Sequence, residues 1–232
     1  MSEKTKNNLS ITDELELLRK QFSEAADKAR AKSMEAYMKD QFKFFGLPKP
    51  VRSQIAKPWM KNLSGLSWRE QKQISSWFWK QEEREFLYVA MEILFRNKKQ
   101  WTEESIEHFE KLILTKSWWD TVDFIAASLV GHYFIKFPSS RNKVIKRWTM
   151  HENMWLNRAA IIFQLKYKSD TDTSLLKQAI IPHIESKEFF HQKAIGWSLR
   201  QYAYTDPAWV KLFVKQHNLK PLSVREAIKH LK

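Results

Sequence analysis

The stretch KSWWDTVDFIA, Lys116 to Ala126, returns in altered form three more times before the chain ends, as ENMWLNRAAII, SKEFFHQKAIGW and LSVREAIKHL. Each copy offers a polar residue where a helix N-cap belongs, Ser117, Asn153, Ser186 and Ser223, ahead of a run with helical apolar spacing. These caps lie 36, 33 and 37 residues apart (117 to 153, 153 to 186, 186 to 223), a period that suits two-helix solenoid repeats rather than a bundle. One helix pair cannot bury its apolar face alone, so pairs must stack. Stacking predicts a curved superhelix whose concave inner surface is lined by the second helix of each pair.

The rest of the chain carries the same signature. Leu15, Leu18, Phe22 and Ala25 keep a helical spacing, and alternating β-branched runs between tight turns are missing. Gly46 follows one predicted helix, Pro50 opens another, Ser67 with Glu70 forms a capping box, and Pro138, Pro207 and Pro221 mark further breaks. The expectation is an all-α protein: one domain of HEAT-like helix pairs over residues 10–232, behind a flexible polar tail at residues 1–9.

Composition narrows the function. The 232 residues are 43% hydrophobic, enough for a substantial core, and 40 Lys and Arg against 26 acids leave a net charge of +14. That balance is the electrostatic footprint of a nucleic-acid binder. No cysteine is present, which removes disulfides, thiolate metal sites and cysteine nucleophiles. The four glycines are too scattered for a Walker or Rossmann loop, and the seven histidines lack paired metal-ligand spacing. Neither a nucleotide cofactor nor a metal is expected. MSEKTKNNLS has no signal-peptide core and no run reaches the roughly 20 apolar residues of a spanning helix, so the expectations are no membrane association and a cytoplasmic home.

On the predicted inner helices the first two turns carry Trp119 and Asp123, then Trp155 and Arg158, then Lys193, Trp197 and Arg200. The last three fall at i, i+4 and i+7, one stripe able to hold a phosphate backbone while an indole packs on a sugar or base. Tryptophans at helical spacing are ordinarily core, which suits Trp77, Trp79, Trp118 and Trp155; Trp119 and Trp197 differ in having a polar partner on the same face. Ser117 with Asp120 fits an [ST]-x-x-[DE] cap, giving Asp120 an ordinary purpose. Asp123 lies a turn further on and shares a face with Trp119. Residue types leave two accounts of it open, structural neutralisation by an arginine or catalysis.

A resemblance extends over Thr12 to Lys232. AYMKDQFKFFGL, LTKSWWDTVD, WLNRAAIIFQLKYK, SKEFFHQKAIGWSLRQYA and PLSVREAIKHLK, in that order, resemble the AlkD-type DNA alkylation-repair glycosylases, a family of HEAT-like repeats. The resemblance implies that Asp123 is the catalytic carboxylate, that Trp119 and Trp197 cradle the lesion nucleotide's sugar, that Arg158 holds DNA phosphate, and that Tyr37 reaches the same site. Lys193 and Arg200 join the DNA-binding set from the stripe. The implied substrate is double-stranded DNA carrying cationic alkylated purines such as 7-methylguanine or 3-methyladenine, cleaved by a monomer without capture of a flipped base. Such a base is already a good leaving group. One carboxylate can then suffice where ordinary glycoside hydrolysis uses two. A non-catalytic scaffold binding DNA or protein is the alternative; the first leaves Asp123 without a purpose, the second leaves the basic, aromatic stripe unexplained.

Overall fold

The structure, a computed structural model, describes residues 11–231; the tail expected at residues 1–9 lies outside the described residues. The chain is all-α: among the described residues there is no β-strand, only an isolated bridge between Lys43 and Glu83. No described helix is long and apolar enough to cross a membrane. Contacts divide the chain into two compact units, Met1–Asn97 and Lys98–Lys232.

The first unit comprises α1 (Ile11–Glu24), α2 (Lys28–Tyr37), α3 (Lys49–Asn62), α4 (Trp68–Lys80) and α5 (Arg84–Arg96). The spacing of Leu15, Leu18 and Phe22 places all three in its core. Phe22, Phe45 and Phe78 close on Phe86 at ring-centroid distances of 5.5–5.7 Å. The predicted Ser67–Glu70 capping box forms at the start of α4, and Pro50 sits in the first turn of α3. Gly46 has φ +84°, and a Cβ there would lie 2.2 Å from the Asp27 carbonyl oxygen, so no larger residue fits the loop after α2. Buried Glu85 fastens that loop by accepting from the backbone N–H groups of Phe45, Gly46 and Leu47.

The second unit holds α6 (Ser105–Leu114), α7 (Trp119–Phe124), α8 (Gly131–Lys136), α9 (Arg141–Thr149), α10 (Met154–Ile162), α11 (Thr173–Ile180), α12 (Phe189–Ala203), α13 (Pro207–Gln216) and α14 (Pro221–Ala227). A π-helical segment, Ile125–Val130, joins α7 to α8 without a break. Helices α7/α8, α10, α12 and α14 begin after caps at 118, 153, 188 and 220, separations of 35, 35 and 32 residues. The helices stack in that order. Asp123 pairs with Arg158, Ser128 with Lys166, Gly131 with Tyr167, Arg158 with Phe190 and Lys193 with Glu226. Both partners rise in number together from Asp123·Arg158 to Gly131·Tyr167, so the α7/α8 helix and α10 run parallel. The other helix of each pair forms a second layer, tied by Arg147–Glu110 and Arg141–Asp172.

Three of the four predicted caps need correction. Asn153 does cap α10, accepting from Trp155 N at 2.9 Å. Ser117 instead donates to the Ile113 carbonyl at the end of α6, and α7 starts a residue later with Trp118 as its cap residue, so Ser117 and Asp120 make no capping box. Ser186 bonds the His191 ring while Glu188 occupies the cap position of α12. Ser223 lies inside α14 and donates to the Gln192 carbonyl. A serine hydroxyl can satisfy several groups besides its own helix's N–H donors: Ser117 takes a carbonyl at the end of α6, Ser186 a histidine ring and Ser223 a carbonyl of the adjacent helix. The period survives because each error is only a few residues.

Candidate active site around Asp123

Six of the seven candidate residues fall in the second unit, on α7, α10 and α12; Tyr37 ends α2 in the first unit, 68% exposed. Trp119 is the first residue of α7, and Asp123 follows one turn later on the same face. Asp123 is paired in bidentate fashion with Arg158: Nε donates to Oδ1 at 2.7 Å and Nη2 to Oδ2 at 2.8 Å. Arg158 is not a solvated cation. It is only 4% exposed, and its Nη1 donates to the Phe190 carbonyl at 2.8 Å. One guanidinium thus ties together α7, α10 and α12.

The sequence places this arginine deep in the unit for a local reason. α10 is flanked by stacked helices on both sides, and its residues from Trp155 to Ile162 are all buried. An arginine in such a helix must have its charge answered. Asp123 supplies the charge, and an aromatic wall supplies the rest. Trp118, Trp155 and Phe190 meet at centroid distances of 4.8–5.8 Å, with the guanidinium 5.8 Å from the Phe190 ring. Trp155 and Trp79 are therefore core, as expected, whereas Trp118 and Trp77 are half-buried.

Asp123 itself keeps a solvent face, its side chain 15% exposed. Burial is the largest influence on its carboxyl and raises the pKa; the Arg158 hydrogen bonds and charge oppose it, and the nearby charge of Asp120 adds to the rise. Two-point acceptance from a guanidinium requires the ionised form. A carboxylate has about four lone-pair directions and Arg158 takes two, which leaves others for a water or a developing cation.

Two turns along α12 from Phe190, about 10 Å at 1.5 Å per residue, stands half-buried Trp197. Lys193 and Arg200 flank it on the same stripe, as the spacing predicts, but neither cation is free. Both meet Glu226 of α14, Lys193 Nζ at 2.9 Å from Oε1 and Arg200 through a short ion pair to Oε2. Glu226 carries the same sequence signal that singles out Asp123, an acid in a repeated, basic segment, yet it was not among the expected site residues. Phe190 could not be found from its side-chain type, because its carbonyl makes the contact. Among the described residues no group of three or more His, Asp or Glu could hold a metal.

A family model for DNA alkylation repair enzymes matches residues 18–231. A solved structure of a predicted DNA alkylation repair enzyme from Enterococcus faecalis is similar at 35% identity with a TM-score of 0.84, covering 89% of this chain and 96% of that one. No curated protein matches.

Proposed function

The chain belongs to the DNA alkylation repair enzyme family, and from that membership we propose that it is a DNA glycosylase, hydrolysing the N-glycosidic bond of cationic alkylated purines in duplex DNA. The observation that carries the proposal is the carboxylate of Asp123, paired in bidentate fashion with a buried arginine yet open to solvent, one helical turn from half-buried Trp119.

The chemistry asks little of the protein beyond charge and position. N7- or N3-alkylation places a positive charge on the purine, so the bond to C1′ breaks with its electron pair leaving on the base, which departs neutral. The sugar is left as an oxocarbenium ion. Asp123 stabilises that cation and orients the water that adds to C1′, and the water's spare proton passes to solvent. The indole faces of Trp119 and Trp197 add cation–π attraction and keep bulk water away. Arg158 acts as a positioning residue, because burial and the bond to the Phe190 carbonyl hold its guanidinium and its two other directed donors fix the carboxylate's rotamer. Backbone contact near Asp123 then falls chiefly to Lys193 and Arg200, with only the two uncommitted N–H groups of Arg158 left for phosphate; exposed Tyr37 is a DNA contact of the first unit in its own right. Neutral lesions such as uracil should be poor substrates, since they need a general acid that this site lacks.

One observation favours the scaffold alternative: neutralising Arg158 gives Asp123 a structural purpose. A single assay separates them. The protein is incubated with duplex DNA treated with a methylating agent, and released 7-methylguanine and 3-methyladenine are quantified. Release well above spontaneous depurination is expected; binding with no release above that background would leave a scaffold.

A further inference from the structure

We propose that Glu226 is an internal stand-in for a DNA phosphate, holding Lys193 and Arg200 in place beside Trp197 and weakening the grip on undamaged backbone. The inference rests on the glycosylase reading above and adds a positioning residue to it.

The geometry begins with α14. Gly196 lets it approach α12 so closely that a Cβ at residue 196 would lie 2.4 Å from the Glu226 Cβ, and Ser223 Oγ donates to the Gln192 carbonyl alongside. Glu226 is thereby carried up to the stripe of α12. Each of its oxygens takes one cation, Oε1 from Lys193 and Oε2 from Arg200. A phosphodiester offers the same pattern, one negative charge over two equivalent oxygens. Two cations and one carboxylate leave the cluster at +1 rather than +2. The carboxyl is kept below the usual range, first by the Lys193 hydrogen bond and also by Arg200, so the stand-in stays charged at working pH.

A purely structural bridge is the competing account. The side chains of Lys193, Arg200 and Glu226 are 36%, 21% and 14% exposed, so the cluster is part-buried, and the water that reaches both cations screens what the bridge adds to stability. The tight α12–α14 packing through Gly196 already fixes the helices. What the bridge changes is the charge presented to a ligand. A backbone phosphate must share or displace Glu226 to reach either cation, so unmodified DNA is held loosely and released readily.

The test compares the parent protein with Glu226→Gln, using an undamaged duplex of about 20 base pairs, long enough to span the counterion atmosphere that sets the salt slope, read by fluorescence anisotropy over a range of salt concentrations. The variant should bind about tenfold tighter at about 0.1 M salt, and its log K against log salt should be steeper by about one to two units, one for each cation newly pairing with phosphate. Adding Lys193→Gln and Arg200→Gln to the variant should remove that gain. Multiple-turnover release of 7-methylguanine should slow relative to single-turnover release, because the product DNA leaves later. Parent-like affinity and slope in folded Glu226→Gln, or weaker binding, overturns the proposal. Should that variant not fold, Glu226→Asp takes its place, since the shorter acid cannot span both cations and should show a smaller shift in the same direction; no shift there overturns the proposal equally. A parent protein that excises while Glu226→Gln binds unchanged sinks this inference alone; a parent protein that neither binds nor excises sinks the glycosylase reading and this inference with it.

Discussion

Asp123 is made costly to ionise by burial and by Asp120, and made possible to ionise by Arg158. Replacing it by Asn keeps an acceptor for the arginine but removes the charge that answers the oxocarbenium ion. Single-turnover excision of 7-methylguanine should fall by ~10²–10³-fold, in line with removal of one preorganised electrostatic group, while DNA affinity stays near the parent value. Excision needs the ionised form, so its rate should drop as the pH falls through a pKa above the ordinary aspartate range, and Asp123→Asn should lack that limb. Asp120→Asn removes a repulsive neighbour and should move the limb to lower pH with near-normal excision at neutrality. The linkage runs the other way for stability: a raised carboxyl pKa favours folding below the unfolded-state value, and that contribution is lost as pH rises through the folded one. Arg158→Ala exposes this cost. It strands a buried carboxylate, so unfolding by urea should show a loss of about 3–5 kcal/mol at neutral pH, shrinking in acid as Asp123 takes up a proton.

At the scale of the helix, α12 sets the site because it touches both of its neighbours in the stack: Phe190 receives Arg158, and Gly196 receives α14. Gly196→Ala should force α14 away, since the added carbon would meet the Glu226 Cβ and, at 2.9 Å, the Ser223 carbonyl. A loss of about 1–3 kcal/mol is expected for such overpacking, read by chemical denaturation, together with a change in the salt dependence of DNA binding as Glu226 leaves the two cations. The cap residues obey a related rule. Asn153 was recognisable because its helix starts where its side chain reaches Trp155 N, whereas Ser117 and Ser223 found carbonyls on other helices and Ser186 took the ring of His191 in place of a first-turn backbone N–H. Local pattern predicted that helices begin near these residues and missed which group each hydroxyl would satisfy.

For the whole molecule, the net charge of +14 predicts binding to duplex DNA that weakens steeply with salt, checked by the same anisotropy titration on the parent protein. Stability should also depend on histidine. Burial lowers the pKa of His191 to about 4, with the neighbouring His183 ring, 4.6 Å away, adding to the effect; His183 is lowered as well, by its own burial. A lowered histidine pKa stabilises the fold above the unfolded value near 6.5, and that contribution is lost as pH falls through the folded value. Thermal unfolding should therefore move to lower temperature between pH 6.5 and pH 4. His191→Asn should flatten part of that dependence.

By itself the sequence determined that the chain is all-α, that helices recur about every 35 residues, and that Trp119, Asp123, Lys193, Trp197 and Arg200 share helical faces as their spacing requires. These properties are local: apolar period, turn residues and the 3.6-residue repeat act within a few residues of chain. Only the tertiary structure decided that Arg158 is buried against Asp123 rather than open to solvent, that Glu226 holds Lys193 and Arg200, and that a main-chain carbonyl at Phe190 completes the arginine's bonding. Each of these joins residues 26 to 35 positions apart. Spacing along one helix fixes which face a charge occupies. Which opposite charge meets it depends on the neighbouring helix, and burial between helices turns that meeting from an option into a requirement.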